Sequence, residues 1–204
     1  MTEEAFVAQM QKYMPAAACR VGYKWLSRYP ARLKVSKPRK SKLGDFRTRD
    51  KKSLPTISVN GNLKPYSFVV TFAHEVAHLI DYTKRQTLRN PHGTTWKAEY
   101  TRLLNELLEH EVFPFEIKHA IRSHADRPKA ASCSDPELME LLRIFDDEPG
   151  LTLKHIPEGS TFVLNGNRIF KKGSLRRTRY KCTELSTGKT YLVHCQSVIT
   201  LSDT

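Results

Sequence analysis

Residues 66–96 read YSFVVTFAHEVAHLIDYTKRQTLRNPHGTTW, and this stretch predicts the centre of the fold. Apolar residues fill Tyr66–Lys84 at helical spacing, and the run is interrupted chiefly by the charged and polar positions of the string HEVAH. A turn over Arg89–Gly93 follows, and a second helix with one apolar side is predicted over Thr94–His110. The pattern therefore predicts a helix, a turn and a returning helix.

The string HEVAH places His74, Glu75 and His78 on the first of these helices. Positions i and i+4 lie one turn apart on the same helix face, so two imidazoles there can bind one metal ion from one side. Zinc accepts nitrogen ligands, and Glu75 is placed to take a proton from water and to pass it to a leaving amine. Unpaired His and Glu side chains are costly inside so apolar a helix. The motif therefore favours a catalytic site with one zinc ion over two incidental histidines.

A zinc site with an open fourth position needs one more ligand from another element. We favour His92, which lies in the turn before the second helix, and Glu99, one turn into that helix, is the competing ligand. Asp81 returns to the ligand face, where it is either a hydrogen-bond acceptor for an imidazole N–H or an ordinary helix-surface residue. Trp96 is expected to pack the two helices together.

The remaining segments predict an α+β protein. Further helices are expected over Glu3–Met14, Phe113–His124 and Pro136–Phe145, and a helix or extended arm is expected over Val21–Tyr29. Strands are expected over Ala31–Ser36 and Pro55–Asn60. Between these two strands we expect a basic loop or hairpin tip over Lys37–Ser53. After Pro149, apolar and polar residues alternate in short runs that are separated by turn residues. This pattern predicts a small C-terminal antiparallel sheet or barrel of four or five strands. The predicted domains are residues 1–150 and 151–204.

Charge is unevenly distributed along the 204 residues, which carry 34 Lys and Arg against 21 Asp and Glu, a formal net charge of +13. The excess lies in Arg20–Leu54, with a net charge of +11, and in residues 165–190, with +7, whereas residues 55–150 carry −3. Two strong basic runs favour a polyanion partner, chiefly nucleic acid. The residues expected to contact it are Arg39, Lys40, Lys42, Arg47, Arg176, Arg177 and Arg179.

Composition also disfavours several protein classes. No stretch approaches the roughly 18–20 apolar residues that span a bilayer. The acidic start MTEEAFVAQM contains no apolar signal-peptide region, so we expect a cytoplasmic protein without a membrane partner. The four cysteines include no C-x-x-C pair and are expected to be reduced thiols. Cys182, His194 and Cys195 match no standard metal-site spacing and are expected to be ordinary residues of the C-terminal module.

HEVAH followed by HGTTW at residues 92–96 resembles the SprT-like family, the zinc metallopeptidase-like domains that include Spartan-type DNA–protein crosslink proteases. The resemblance covers roughly residues 31–113 and implies a minimal zincin fold, a few helices beside a small sheet. It also implies zinc ligands His74, His78 and His92, with Glu75 as the catalytic base. The implied activity is a zinc-dependent peptidase that acts on proteins bound to DNA.

The C-terminal region departs from that family, whose members often carry a four-cysteine zinc ribbon after the metallopeptidase-like core. Here the corresponding region has only Cys182 and Cys195 and a predicted β module that keeps a basic surface. The alternative function is therefore a nucleic-acid-binding or regulatory protein that retains a structural zinc site without protease activity. Glu75 argues mildly against this alternative, because a structural site needs no general base.

Overall fold

The computed structural model describes residues 1–39, 42–49, 53–128, 136–143, 150–164 and 166–202. These residues form six α-helices and eight β-strands in two sheets, which confirms the predicted α+β class. The helices are α1 (Glu3–Met10), α2 (Ala16–Arg28), α3 (Pro65–Arg85), α4 (Thr94–Glu109), α5 (Phe115–Asp126) and α6 (Pro136–Arg143). The strands are β1 (Arg32–Ser36), β2 (Gly44–Arg47), β3 (Thr56–Asn60), β4 (Thr161–Leu164), β5 (Arg168–Arg176), β6 (Arg179–Glu184), β7 (Thr190–His194) and β8 (Thr200–Leu201).

The chain divides into two compact units, Met1–Leu142 and Arg143–Thr204. The first unit contains α1–α5, nearly all of α6 and a three-stranded sheet with the order β1-β3-β2. Strand β1 runs parallel to β3, and β2 runs antiparallel to it. Among the strands that the structure describes, β2 is therefore an edge strand of this sheet.

Helix α3 is the central element of the first unit. Pro65 suits its first turn, where a backbone N–H has no intrahelical partner, and Gln86 ends the helix in the left-handed conformation with φ of 53°. Every residue from Phe68 to Ala77 is buried. The sheet strands β2 and β3 and the helix α4 all pack on α3, which explains why its sequence is apolar on more than one side.

Strand β2 lies within the stretch for which the sequence predicted a basic loop or hairpin tip. Its four residues contain one large apolar side chain, Phe46, which packs against Tyr82 of α3 at a ring-centroid distance of 5.9 Å. Asp45 offsets the neighbouring positive charge through ion pairs with Lys42 and Arg47. So short and polar a strand leaves little alternation to detect in the sequence. At Val21–Tyr29, where a helix or an extended arm was predicted, the chain is helical within α2.

The second unit is a five-stranded antiparallel sheet with the order β7-β6-β5-β4-β8, which confirms the predicted C-terminal antiparallel module. Its core is formed by Leu153, Ile156, Phe162, Phe170, Cys182, Val193 and Ile199. Cys19, Cys182 and Cys195 are buried free thiols, and Cys133 lies outside the described residues. Across the described part of the chain, no helix combines the length and the apolar character needed to cross a membrane.

Candidate metal centre

Helix α3 brings His74 and His78 together because they are one helical turn apart. Their Nε2 atoms are 3.2 Å apart, and their ring centroids are 5.0 Å apart. His74 is buried with 7% of its surface exposed, whereas His78 is half-buried. One face of the helix therefore presents two imidazole nitrogens to the same point.

His92 reaches the same point from the loop between α3 and α4. Its Nε2 atom lies 3.4 Å from Nε2 of His74, and the ligand nitrogens of all three histidines lie within 4.8 Å of one another. Zinc–nitrogen bonds of about 2.0–2.1 Å in a tetrahedron place neighbouring nitrogens about 3.3 Å apart. The spacing from His74 to each of the other two imidazoles fits that geometry, and the three residues form a group that can hold a metal ion.

The loop that carries His92 is joined to α3 through Arg85. This guanidinium donates hydrogen bonds to the buried carboxylate of Asp81, to the carbonyl oxygen of Arg89 at 3.1 Å and to that of Asn90 at 3.3 Å. One side chain thus ties the last turn of the helix to the residues just before His92. The sequence left two roles open for Asp81, and its carboxylate accepts from Arg85 rather than from an imidazole N–H.

Burial keeps the three imidazoles neutral. It lowers the pKa of His74 to about 2, with a further contribution from the neighbouring His78 and His92. It lowers the pKa of His78 to about 4 and also lowers that of His92, although the negative charge of Asp81 opposes both shifts. A metal ion needs an unprotonated imidazole nitrogen, so all three side chains are in the form that binds metal at neutral pH.

Trp96, in the first turn of α4, forms a surface against which all three histidines pack. Its ring centroid lies 4.7 Å from that of His74, 5.3 Å from that of His78 and 4.7 Å from that of His92. The side chain is fully buried, and its Nε1 has no hydrogen-bond partner among the described residues. The sequence suggested only a helix-packing role for Trp96, and its spacing of four residues from His92 was the available signal for the contact with the imidazoles.

Glu75 is buried beside strand β2. The backbone N–H of Phe46 donates a hydrogen bond to its carboxylate, and Gly44 leaves space for it, because a Cβ at that position would lie 2.8 Å from Cγ of Glu75. Burial, with a smaller contribution from the nearby charge of Asp45, raises the pKa of Glu75 to about 8, although Arg39 opposes the shift. A carboxyl group tuned towards neutral pH is suited to exchange protons there. The contact with Gly44 was not detected from the sequence, because β2 itself was not predicted.

Glu99, the competing third ligand, is not in the histidine group. Its carboxylate accepts hydrogen bonds from Lys84 and from Nε of Arg102 at 3.0 Å. Burial alone would raise the pKa of Glu99, but these two cations outweigh it and hold the pKa below its ordinary value. The structure therefore brings His92 to the cluster and pairs Glu99 elsewhere.

The residues predicted to contact nucleic acid fall into two sets. Arg39 donates to Asn60 Oδ1 at 2.8 Å and to Ser58 Oγ at 3.0 Å, and Lys42 and Arg47 pair with Asp45. Lys40 lies outside the described residues. The others, Arg176, Arg177 and Arg179, belong to the second unit and are exposed.

Comparison with known proteins gives no relative for this chain. No protein-family model matches it, and searches of curated proteins and of solved structures also found no match.

Proposed function

We propose that this chain is a cytoplasmic zinc-dependent peptidase that acts on proteins bound to DNA. The observation that carries the proposal is the convergence of His74, His78 and His92 within 4.8 Å, with Glu75 buried on the same helix. The resemblance of HEVAH and HGTTW to the SprT-like family supports the same reaction and the same class of substrate. When bound, zinc supplies Lewis acidity that polarises a carbonyl group and activates water.

The chain's own residues provide the remaining chemistry. The imidazoles of His74, His78 and His92 hold the metal in their neutral form, and the packing against Trp96 fixes the orientation of their rings. The carboxylate of Glu75 accepts a proton from water and transfers it to the leaving amine. The hydrogen bond from the Phe46 backbone N–H holds that carboxylate in place.

The free edge of β2 supports a peptide as the substrate. Among the described strands, β2 pairs only with β3, so its other edge offers backbone hydrogen-bonding groups to an extended chain. Gly44 and Phe46, both in β2, contact or bond Glu75. A peptide added to this edge would lie beside the proposed general base.

The decisive experiment combines metal analysis with cleavage of a DNA-bound protein. Purified protein should contain one equivalent of zinc and should cleave the bound protein in the presence of DNA. The variant Glu75→Gln should retain zinc and lose cleavage, because the amide has the shape of the carboxylate but cannot accept the proton. Unchanged proteolysis in this variant would contradict the mechanism. Zinc without proteolysis in the unaltered protein would favour the nucleic-acid-binding alternative.

A further inference from the structure

Alternation along β5 and β6 divides the sheet of the second unit into a buried face and a solvent face. Cys182 and Glu184 are buried, whereas Lys171, Lys181 and Thr183 are exposed on the opposite face. The hairpin that joins these strands adds three exposed arginines at its tip. We define the basic face as Lys171, Arg176, Arg177, Arg179 and Lys181.

None of the five side chains of the basic face makes an ion pair or a hydrogen bond within the described part of the chain. Two cations on the buried face behave differently. Arg168 pairs with the buried carboxylate of Glu184, and Lys172 donates to the carbonyl oxygen of Ile156 at 2.6 Å beneath the ring of Tyr180. The cations of the buried face therefore have partners within this unit, whereas those of the basic face have none among the described residues.

The arrangement of the arginines costs stability. Arg176 and Arg179 are directly opposite each other across the hairpin, where like charges repel. The backbone of Arg177 lies in the left-handed region with φ of 57°, a conformation that residues other than glycine and asparagine seldom adopt. An anion bound between Arg176 and Arg179 would relieve this repulsion.

Apolar side chains lie among these cations on the same face. Leu192 is opposite Lys181 on the neighbouring strand and is 55% exposed, and Ile169, two residues before Lys171, is 37% exposed. A duplex keeps its bases stacked inside, and apolar side chains reach them mainly at thymine methyl groups or as wedges that unstack a base step. An unpaired strand offers phosphates and base faces together. The mixture therefore favours an unpaired strand.

We propose that the basic face binds single-stranded nucleic acid, with the phosphates on Lys and Arg and the bases against Leu192 and Ile169. This proposal rests on the proposed function in one respect, which is the choice of nucleic acid rather than another polyanion as the ligand. It assigns that binding to the second unit, and it adds Lys171 and Lys181 to the three arginines of the hairpin tip. Arg39 and Lys42 of the first unit are already bonded within the protein.

The test measures fluorescence anisotropy of a labelled, unstructured oligonucleotide and of its duplex with the full chain over a series of salt concentrations. The variant Arg176→Gln/Arg179→Gln/Lys181→Gln should weaken single-strand binding by at least about tenfold and lower the salt slope by about 2, since each phosphate contact contributes about 0.7. The matched control Lys24→Gln/Lys97→Gln/Arg122→Gln removes three exposed charges of the first unit and should change affinity far less.

A second variant, Leu192→Ser, should weaken single-strand binding several-fold and leave duplex binding unchanged. The melting temperature of the triple variant should be equal to or above that of the unaltered protein, because the opposed arginines no longer repel each other. Equal loss in the control triple variant, tighter binding of the duplex, or binding only to phosphatidylglycerol vesicles would each overturn the inference. Glu75→Gln should bind the oligonucleotide normally, so failure of the peptidase proposal is distinguishable from failure of this one.

Discussion

The chain has two tryptophans, and they differ in hydrogen bonding although both are buried. Trp25 Nε1 donates to Oε2 of Glu106 at 3.0 Å, whereas Trp96 Nε1 has no partner among the described residues. Replacing each with phenylalanine removes the same atoms from two buried sites. The pair Trp25→Phe and Trp96→Phe therefore separates the energetics of packing from those of hydrogen bonding.

The loss in free energy of unfolding that comes from packing is expected to be the same for both substitutions. Replacing the indole by the smaller phenyl ring leaves a cavity of about 40 Å³, which costs about 1 kcal/mol at about 24 cal/mol per Å³, and the lost transfer free energy adds a similar amount. For Trp25→Phe, loss of a hydrogen bond to a charged group adds about 2 kcal/mol, giving about 4 kcal/mol in all. For Trp96→Phe, removal of an unpaired buried N–H offsets the cavity by about 1–3 kcal/mol, so the net cost is close to zero.

Zinc affinity should be affected more by Trp96→Phe than by Trp25→Phe, which is the reverse of the order for stability. Trp96 packs against all three imidazoles, and loss of a residue that orients metal ligands weakens affinity by about tenfold or more. A tenfold loss reduces the stabilisation by excess zinc by about 1.4 kcal/mol. Trp25 contacts none of the three histidines and should leave the zinc-dependent stabilisation unchanged.

Urea unfolding followed by circular dichroism, once in EDTA and once in excess zinc, measures both effects. In EDTA, Trp25→Phe should be the less stable variant, and in zinc, Trp96→Phe should gain less than the other two proteins. Equal losses in EDTA would refute the argument from the unpaired N–H. Equal gains in zinc would refute the role of Trp96 in holding the imidazoles.

Three further predictions concern the same chain. His92→Ala should abolish stoichiometric zinc binding, whereas Glu99→Gln should retain it. Metal analysis after dialysis measures the zinc content of both variants. The reverse result would restore Glu99 as the third ligand. Gly44→Ala should lower cleavage with zinc content unchanged, because the added Cβ displaces the Glu75 carboxylate; full activity would show that the site tolerates the shift. Hydrogen bonds from Arg168 and then Thr187 lower the pKa of Glu184 from 4.5 to about 2, so its stabilisation is complete above about pH 4.5 and is lost as the pH falls towards 2. Thermal melts from pH 6 to 2 should therefore show a steeper loss in the unaltered protein than in Glu184→Gln, and parallel curves would contradict this prediction.

The helix pair and the placement of His74 and His78 on one face were predictable because local patterns encode them. An i, i+4 pair of histidines lies on one face of any α-helix, and the apolar run around HEVAH predicts a buried helix. The convergence of His92 depends on the loop conformation, which Arg85 holds through the carbonyl oxygens of Arg89 and Asn90. Such backbone contacts leave no periodic signal in the sequence. The choice between His92 and Glu99 therefore needed the structure.

The basic residues show a different limit of sequence interpretation. Arg39 and Arg177 look equivalent in a charge count, yet Arg39 bonds to Asn60 and Ser58 while Arg177 is exposed without a partner in the described part of the chain. Net charge reports the number of cations and not which of them have intramolecular partners. Part of the basic run Arg20–Leu54 therefore has a structural role beside Glu75. Only the structure distinguishes these cations from those that are free to contact nucleic acid.

Local pairing also helps to explain why the candidate metal site contains neutral imidazoles although the negative charge of Asp81 acts on two of them. Asp81 is paired with Arg85, whose positive charge offsets part of the effect of this carboxylate on His78 and His92. Burial then dominates, and the histidine pKa values fall rather than rise. An unpaired carboxylate beside the imidazoles would raise their pKa, so a metal ion would more often have to displace a proton to bind. The pairing of Asp81 with Arg85 therefore favours the neutral imidazoles that a metal ion would need at neutral pH.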